Sequence, residues 1–408
     1  MERSPLSVAD VIRAHVDEFL AERGPAVSPA QRRVLRDLAA CRTSVLGGHI
    51  YKCDSCGEKR IGYNSCWNRH CPSCLGHRSA EWLEARLRDL LPVEYSHVVF
   101  TVPDEVAALA LGNKKVVYSL LFSAAAQTLK TIASNPRHLG AEIGFFAVLH
   151  TWTQTLQHHP HIHCVVPAGG LSPDGSRWIP SKPKFFLPVR VLSRLFRGKL
   201  LDGLKQAASE GQLRFGGSTE QLEDPQTFAR WIAALRKQDW VVYCKPPFGS
   251  PEQTLKYLAR YTHRVAISNQ RLVSMDERQV TFRYRDRSRG DKTRTMTLDS
   301  SEFLRRFLLH VLPKRFVRIR YFGFLANGHR KKKLARCREL LGEVEVELPR
   351  EPVEDEAAAV EGDGATDTPT PICRCPVCKT GRMVRIASVG PHLESRWLEL
   401  GSSWEDSS

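Results

Sequence analysis

The 408-residue sequence reads as interleaved helices and strands, an α+β pattern, preceded by a small cysteine-rich head. Three observations carry this expectation. Segments with helical apolar spacing alternate with short apolar runs of strand length. Two Cys-x-x-Cys pairs stand close together near the N-terminus. Near the other end, an acidic stretch rich in Pro and Ala separates a last group of cysteines from the rest.

In chain order, residues 7–23 (SVADVIRAHVDEFLAER) set Val8, Val11, Ile12, Val16, Phe19 and Leu20 near helical spacing. Ser28-Pro29 reads as an N-cap followed by proline at the first helical position, which opens a second helix. The cysteine block covers 41–77, and 79–91 looks helical. His97–Val102 is a strand signal, followed by helical patterns near 104–112 and 115–134. Phe145–Trp152 and His161–Pro167 read as two adjacent strands, and Trp240–Cys244 as another. A helix is expected at 251–263, strands near 271–285 and 293–298, and a helix at 300–311. The domains expected are therefore 1–92 (helices and cysteine-rich head), 93–342 (main body), 343–371 (acidic disordered linker) and 372–408 (cysteine-containing tail).

Composition bounds the function. Hydrophobic residues make up 42% and charged residues 25%, which suits a globular body. The sequence has no run of 18 apolar residues and opens without an apolar signal segment, so a soluble, cytoplasmic protein is expected; the nucleic-acid partner that its charge points to would make it nucleoid-associated. Twelve cysteines in such a compartment point to metal ligation more than to disulfides. The net charge of +16 is unevenly spread: residues 343–367 hold ten acids against one arginine, whereas Phe303–Arg338 holds twelve Lys/Arg and no acid. A polybasic tract of this kind fits a nucleic-acid partner. Its phosphate-binding candidates include Arg318, Arg320, Arg330, Lys331, Lys332 and Lys333.

Cys53-x-x-Cys56 is followed by Cys71-x-x-Cys74. Paired knuckles can supply four thiolates to one Zn2+, and four protein ligands leave no open position, so a structural zinc is expected on these four residues. Cys66, His70, His77, Cys41 and His49 lie nearby and could replace a ligand or serve a second ion. Arg60, Asn68, Arg69, His70 and Arg78 surround the block, either to touch DNA or to hold the head together. In the tail, Cys375 and Cys378 form one further knuckle, Cys373 could add a ligand, and no fourth ligand is evident.

The stretch HHPHIHCVVPAGG (158–170) carries the main-body chemistry. Residues i and i+2 of a strand share a face, so His161 and His163 project together while Ile162 turns to the core. Two adjacent imidazoles can ligate one divalent ion. His159 has the right parity to help, although Pro160 should bend the backbone there; His150 and Gln154 are further third-ligand candidates. In LKYLARYTHRVAIS (255–268), Tyr257 and Tyr261 are four apart and share a helix face. A phenol oxygen beside a metal-polarised phosphodiester is a nucleophile, and Arg260 and Arg264 could grip the backbone.

With YNSCWNRHCPSC (63–74), HVVFTVP (97–103), LHTWTQTLQHHPHIHCVVPAGG (149–170), YLARYTHRVAISN (257–269) and EFLRRFLLHVLPKRFVRIRYFGFLAN (302–327), the sequence resembles the two-tyrosine HUH rolling-circle transposases of the insertion-sequence ninety-one type over about residues 30–340. The resemblance implies a zinc-binding domain before an HUH nuclease core, a central antiparallel sheet flanked by helices. It implies that His161 and His163 hold the catalytic ion, Mg2+ or Mn2+, and that Tyr257 and Tyr261 are nucleophiles on single-stranded DNA at element ends and target site. A rolling-circle replication initiator or relaxase would share this chemistry; a non-catalytic zinc-dependent regulator would leave the histidine and tyrosine pairs without a use.

Overall fold

The computed structural model describes residues 6–74, 88–248, 266–286, 290, 292–342 and 373–392. Helix α1 (Val8–Arg23) starts at a capping box in which the Ser7 hydroxyl accepts from the Asp10 N–H and the Asp10 carboxylate accepts from the Ser7 N–H. Helix α2 (Pro29–Ala39) repeats the device with Ser28 and Gln31, with Pro29 in its first turn. A hairpin of β1 (Gly48–Cys53) and β2 (Lys59–Tyr63) follows.

The body is built on β3 (Tyr95–Thr101), α3 (Asp104–Gly112), α4 (Lys114–Ser134), β4 (Gly144–Trp152) and β5 (His158–Pro167), followed in sequence by a small hairpin of β6 (Gly169–Leu171) and β7 (Trp178–Pro180). Two helices that the sequence reading passed over come next, α5 (Val189–Ser209) and α6 (Pro225–Lys237), then β8 (Val242–Phe248). Strands β9 (Leu272–Met275), β10 (Gln279–Asp286) and β11 (Lys292–Asp299) form an antiparallel meander, so the single strand expected near 271–285 is two. Helix α7 (Ser300–Leu309), β12 (Ile319–Gly323), α8 (Arg330–Leu340), β13 (Cys373–Arg374) and β14 (Arg382–Val389) complete the described elements. The expected helices at 79–91 and 251–263 fall wholly or largely outside the described residues.

The central sheet has the order β12-β4-β5-β3-β8 and is antiparallel throughout, with the histidine strand in the middle. Alternation sorts its faces. Ile162, Cys164 and Val166 point to one side and pack with Val98, Phe100, Phe145 and Leu149 beneath α4 and α5, where Tyr118, Phe122, Phe196 and Leu200 are fully buried. Helix α4 has the length and hydropathy of a membrane span, but its apolar residues are buried against this sheet. Burying side chains of this size stabilises by about 1.5–3 kcal/mol each, so this layer fixes the strand register.

The head is not a separate ball. Val8, Ile12, Phe19 and Leu35 share one core with Cys41, Cys71 and Cys74 and with Phe282, Phe303, Phe307 and Leu308. Lys114 adds a polar tie at the start of α4. Its ammonium donates to the carbonyls of Leu309 (2.7 Å) and Val311 (2.9 Å), and burial pulls its pKa down to about 8. The tail also joins the head: β14 pairs antiparallel with β1, from Gly48↔Val389 to Cys53↔Met383.

Candidate active site and cysteine clusters

On the sheet face opposite the main core, His150, His161 and His163 bring ring nitrogens within 4.8 Å of one another. The register explains it. His150 on β4 lies directly opposite His161 on β5, and His163 follows two residues on. The ring centroids of His150 and His163 are 4.2 Å apart, and those of His161 and His163 are 4.9 Å apart. His150 is buried, with Trp152 stacked on it at 4.6 Å; His161 and His163 are half-buried. Below them the same face closes over Tyr95, Phe146, Val148 and Val165.

The orientation of two rings is fixed. His161 donates its Nδ1–H to the His159 carbonyl at 2.7 Å, since a carbonyl can only accept, and this leaves Nε2 as the lone-pair nitrogen. His163 Nδ1 is bonded to His97 Nε2 at 2.8 Å. The donor set, three imidazoles on adjacent strands with outer hydrogen bonds, fits a divalent ion.

His159 does not join the trio. His150 pairs with His161 and Trp152 with His158, so β5 carries one extra residue at His159-Pro160. Proline has no N–H for the ladder and is tolerated at such bulges, which re-aim neighbouring side chains. His159 accordingly faces Asp104, 3.8 Å away. Gln154 is exposed in the turn before β5, and its carbonyl accepts from Arg271. Tyr257, Tyr261, Arg260 and Arg264 lie outside the described residues. The chain just beyond them is anchored near the histidine hairpin: Ala266 and Ile267 share a cluster with Leu156 of the turn before β5, and Arg271 bonds that same turn.

The cysteines correct the expectation of a single site on Cys53, Cys56, Cys71 and Cys74. Two four-sulfur groups form, Cys41–Cys66–Cys71–Cys74 and Cys53–Cys56–Cys375–Cys378. The β1–β2 hairpin is the reason. Cys53 and Cys56 sit at its tip, while the chain leading to Cys66 departs from its base at Tyr63, opposite Gly48. Five strand residues at about 3.3 Å each separate tip from base by roughly 16 Å, too far for one ion. In the first group, sulfurs are 3.5 Å (Cys41–Cys74), 3.6 Å (Cys41–Cys71) and 3.7 Å (Cys66–Cys74) apart. A tetrahedron with metal–sulfur bonds of about 2.3 Å has edges of about 3.8 Å, so the spacing suits zinc. Cys373 is exposed and belongs to neither group.

The polar residues around the first group hold structure. His70 accepts from the Leu312 N–H at 3.1 Å and faces Asn68 through Nδ1, so it is not a ligand; burial drives its pKa down to about 3. Arg69 donates to the carbonyls of Phe316 and Pro313. Asn269 accepts from the Val8 N–H and donates to Ser73, clamping α1 and the Cys71–Cys74 knuckle to the segment after the tyrosines. His49 is on β1, His77 and Arg78 lie outside the described residues, and Arg60 pairs with Glu58.

The basic candidates divide. Burial and neighbouring Arg69 pull the Arg318 pKa down to about 10. Arg320 lies over the Phe122 ring at 4.3 Å. Arg330 pairs with Asp89 (3.7 Å) and Lys333 with Glu142 (2.6 Å), while Lys331 and Lys332 are exposed.

Comparison with known proteins gives the chain its class. Residues 144–333 match the family model "Putative transposase", and residues 11–102 match "Transposase zinc-binding domain". The chain is 53% identical over 387 residues to "Putative transposase y4qJ" of Sinorhizobium fredii, covering 95% of this chain and 96% of that one. It is 33% identical over 293 residues to the "Transposase for insertion sequence element IS801" of Pseudomonas savastanoi pv. phaseolicola, covering 71% and 69%. Among solved structures it aligns with the conjugative relaxase TrwC in complex with oriT DNA, metal-bound, at 20% identity and TM-score 0.24, covering 44% of this chain and 66% of that one. The protein is a DNA transposase with an N-terminal zinc-binding domain. It belongs to the insertion-sequence ninety-one (IS91) family.

Proposed function

We propose that this transposase cuts and rejoins single-stranded DNA at the ends of its element through 5′-phosphotyrosine intermediates, in rolling-circle transposition. The observation that carries the reading is the trio of His150, His161 and His163 on the middle strand pair of the sheet. When bound there, a divalent ion supplies charge neutralisation at a scissile phosphate. Tyr257 or Tyr261, assigned by the family resemblance, attacks phosphorus through its phenolate oxygen. The P–O3′ bond breaks, the tyrosine keeps the 5′ phosphate, and the leaving 3′ oxygen takes up a proton. In rejoining, a 3′-OH attacks the phosphotyrosine and the phenol oxygen leaves. Two tyrosines let one site hold two DNA ends in one cycle. The first cysteine group holds zinc and supports α1 and α2, while exposed Lys331 and Lys332 contact phosphates.

The test is a denaturing gel of the protein with a labelled single-stranded element end. Wild type gives a labelled, protease-sensitive adduct. Replacing Tyr257 and Tyr261 together by Phe removes only two oxygens and abolishes it, as does replacing His161 and His163 by Ala, which spares DNA binding. An adduct that persists in the double Tyr→Phe protein refutes the assignment.

A further inference from the structure

Cys53 and Cys56 belong to the first hundred residues, whereas Cys375 and Cys378 lie beyond both family-matched regions, 11–102 and 144–333. The fold brings the four together. Cys53 Sγ is 3.7 Å from Cys378 Sγ, and Cys56 Sγ is 3.7 Å from Cys375 Sγ. These spacings match the roughly 3.8 Å edge of a zinc–thiolate tetrahedron and are far from the roughly 2.05 Å of a disulfide.

The two halves are built alike. In each knuckle the residue after the second cysteine has a left-handed backbone, Gly57 at φ +76° and Lys379 at +60°. In each, that residue's N–H donates to the carbonyl of the first cysteine, at 3.2 Å to Cys53 and 3.0 Å to Cys375. Each knuckle also turns an N–H onto a sulfur: Cys56 N–H to Cys53 Sγ (3.5 Å) and Gly381 N–H to Cys378 Sγ (3.3 Å). Such donors stabilise thiolates, the form that binds metal. The halves are keyed to one another. Asp54 accepts from the Arg382 N–H at 2.8 Å, and a Cβ at Gly381 would stand 2.5 Å from Cys53 Sγ, so only glycine lets the tail approach.

We propose that Cys53, Cys56, Cys375 and Cys378 bind a second structural zinc that fastens the C-terminal segment to the head. The ion closes the chain between residues 319 positions apart, Cys56 and Cys375. The test counts zinc released from the full-length protein by a thiol-specific mercurial, which reports only thiolate-held metal. The expected count is two per chain, falling to one in C375S/C378S and to one in C53S/C56S. Agreement between the reciprocal pairs separates loss of one site from unfolding, since a misfolded variant would release none. A wild type that releases one zinc, or a C375S/C378S protein that still releases two, overturns the proposal, as does recovery of a Cys56–Cys375 disulfide peptide in place of the second ion.

Discussion

His97 and His163 meet edge to edge across β3 and β5, with ring centroids 5.0 Å apart and planes 7° from parallel, joined by an Nε2···Nδ1 bond of 2.8 Å. If His163 binds the ion through Nε2, its Nδ1 carries the proton and His97 is the acceptor. His97 is then a positioning residue. Outer partners of this kind are worth about 10–100-fold in metal affinity. His97→Ala should weaken Mn2+ binding by that factor in a titration, with no change in single-stranded DNA binding measured without metal. An unchanged Mn2+ affinity would show that the pair only packs the sheet face.

The three donors are all imidazoles, and an all-nitrogen set suits Mg2+ poorly, since that hard ion seeks oxygen and keeps its waters, whereas Mn2+, a first-row transition ion, accepts imidazole more readily. Of the two ions expected from the family resemblance, Mn2+ should support cleavage at a lower concentration than Mg2+. Matched metal titrations of adduct formation check this; equal half-saturation would point to ligands of another kind.

His310 makes stability depend on pH. Burial holds its pKa at about 3, against an ordinary value of 6.5, and it is bonded to Thr151 and the Leu156 carbonyl. The unfolded chain takes up this proton as pH falls below 6.5, and the folded chain does not until about 3. The stabilisation is complete above that window and is lost on acidification through it, at up to about 1.4 kcal/mol per pH unit. His310→Gln should flatten the fall in Tm between pH 7 and pH 5 relative to wild type; parallel curves would refute it.

Lys331 and Lys332 are exposed, whereas Arg330 and Lys333 are held by Asp89 and Glu142. K331Q/K332Q should reduce the slope of log affinity against log salt by about 1.4 for single-stranded DNA, equally for all sequences. Loss confined to one sequence, with an unchanged slope, would make these lysines base readers.

Deleting residues 1–74 should not yield a folded nuclease domain. Phe282, Phe303 and Phe307 are buried in one core with Ile12, Phe19 and Leu35, so the truncation uncovers them. Dye-detected apolar exposure and aggregation are expected; a soluble protein with a sharp unfolding transition would contradict the shared core.

The site was legible where chemistry follows local periodicity. Parity alone set His161 and His163 on one face, and Pro160 signalled the bulge that takes His159 away. His150 was within reach as one of several candidates, since its place depends on a strand register that no single segment reveals. His97 could have been found by extending the parity argument to β3. The cysteine partners could not be read: Cys-x-x-Cys spacing defines a two-ligand knuckle but not which knuckles meet. Helix α5 has a helical apolar pattern, but Gly198 and Gly203 interrupt it and weaken the signal. The basic tract was legible as charge, whereas the partners that occupy Arg320, Arg330 and Lys333 come from distant segments.

Strand β1 ends at Cys53, and its partner on β14 at that end is Met383, 330 residues later. During synthesis at about 5–20 residues per second, roughly 15–65 s pass before that partner leaves the ribosome. Throughout that interval the nascent head presents an open strand edge, the kind of surface that invites wrong pairing. A message cut short near its 3′ end would therefore yield a chain whose first strand never finds its mate.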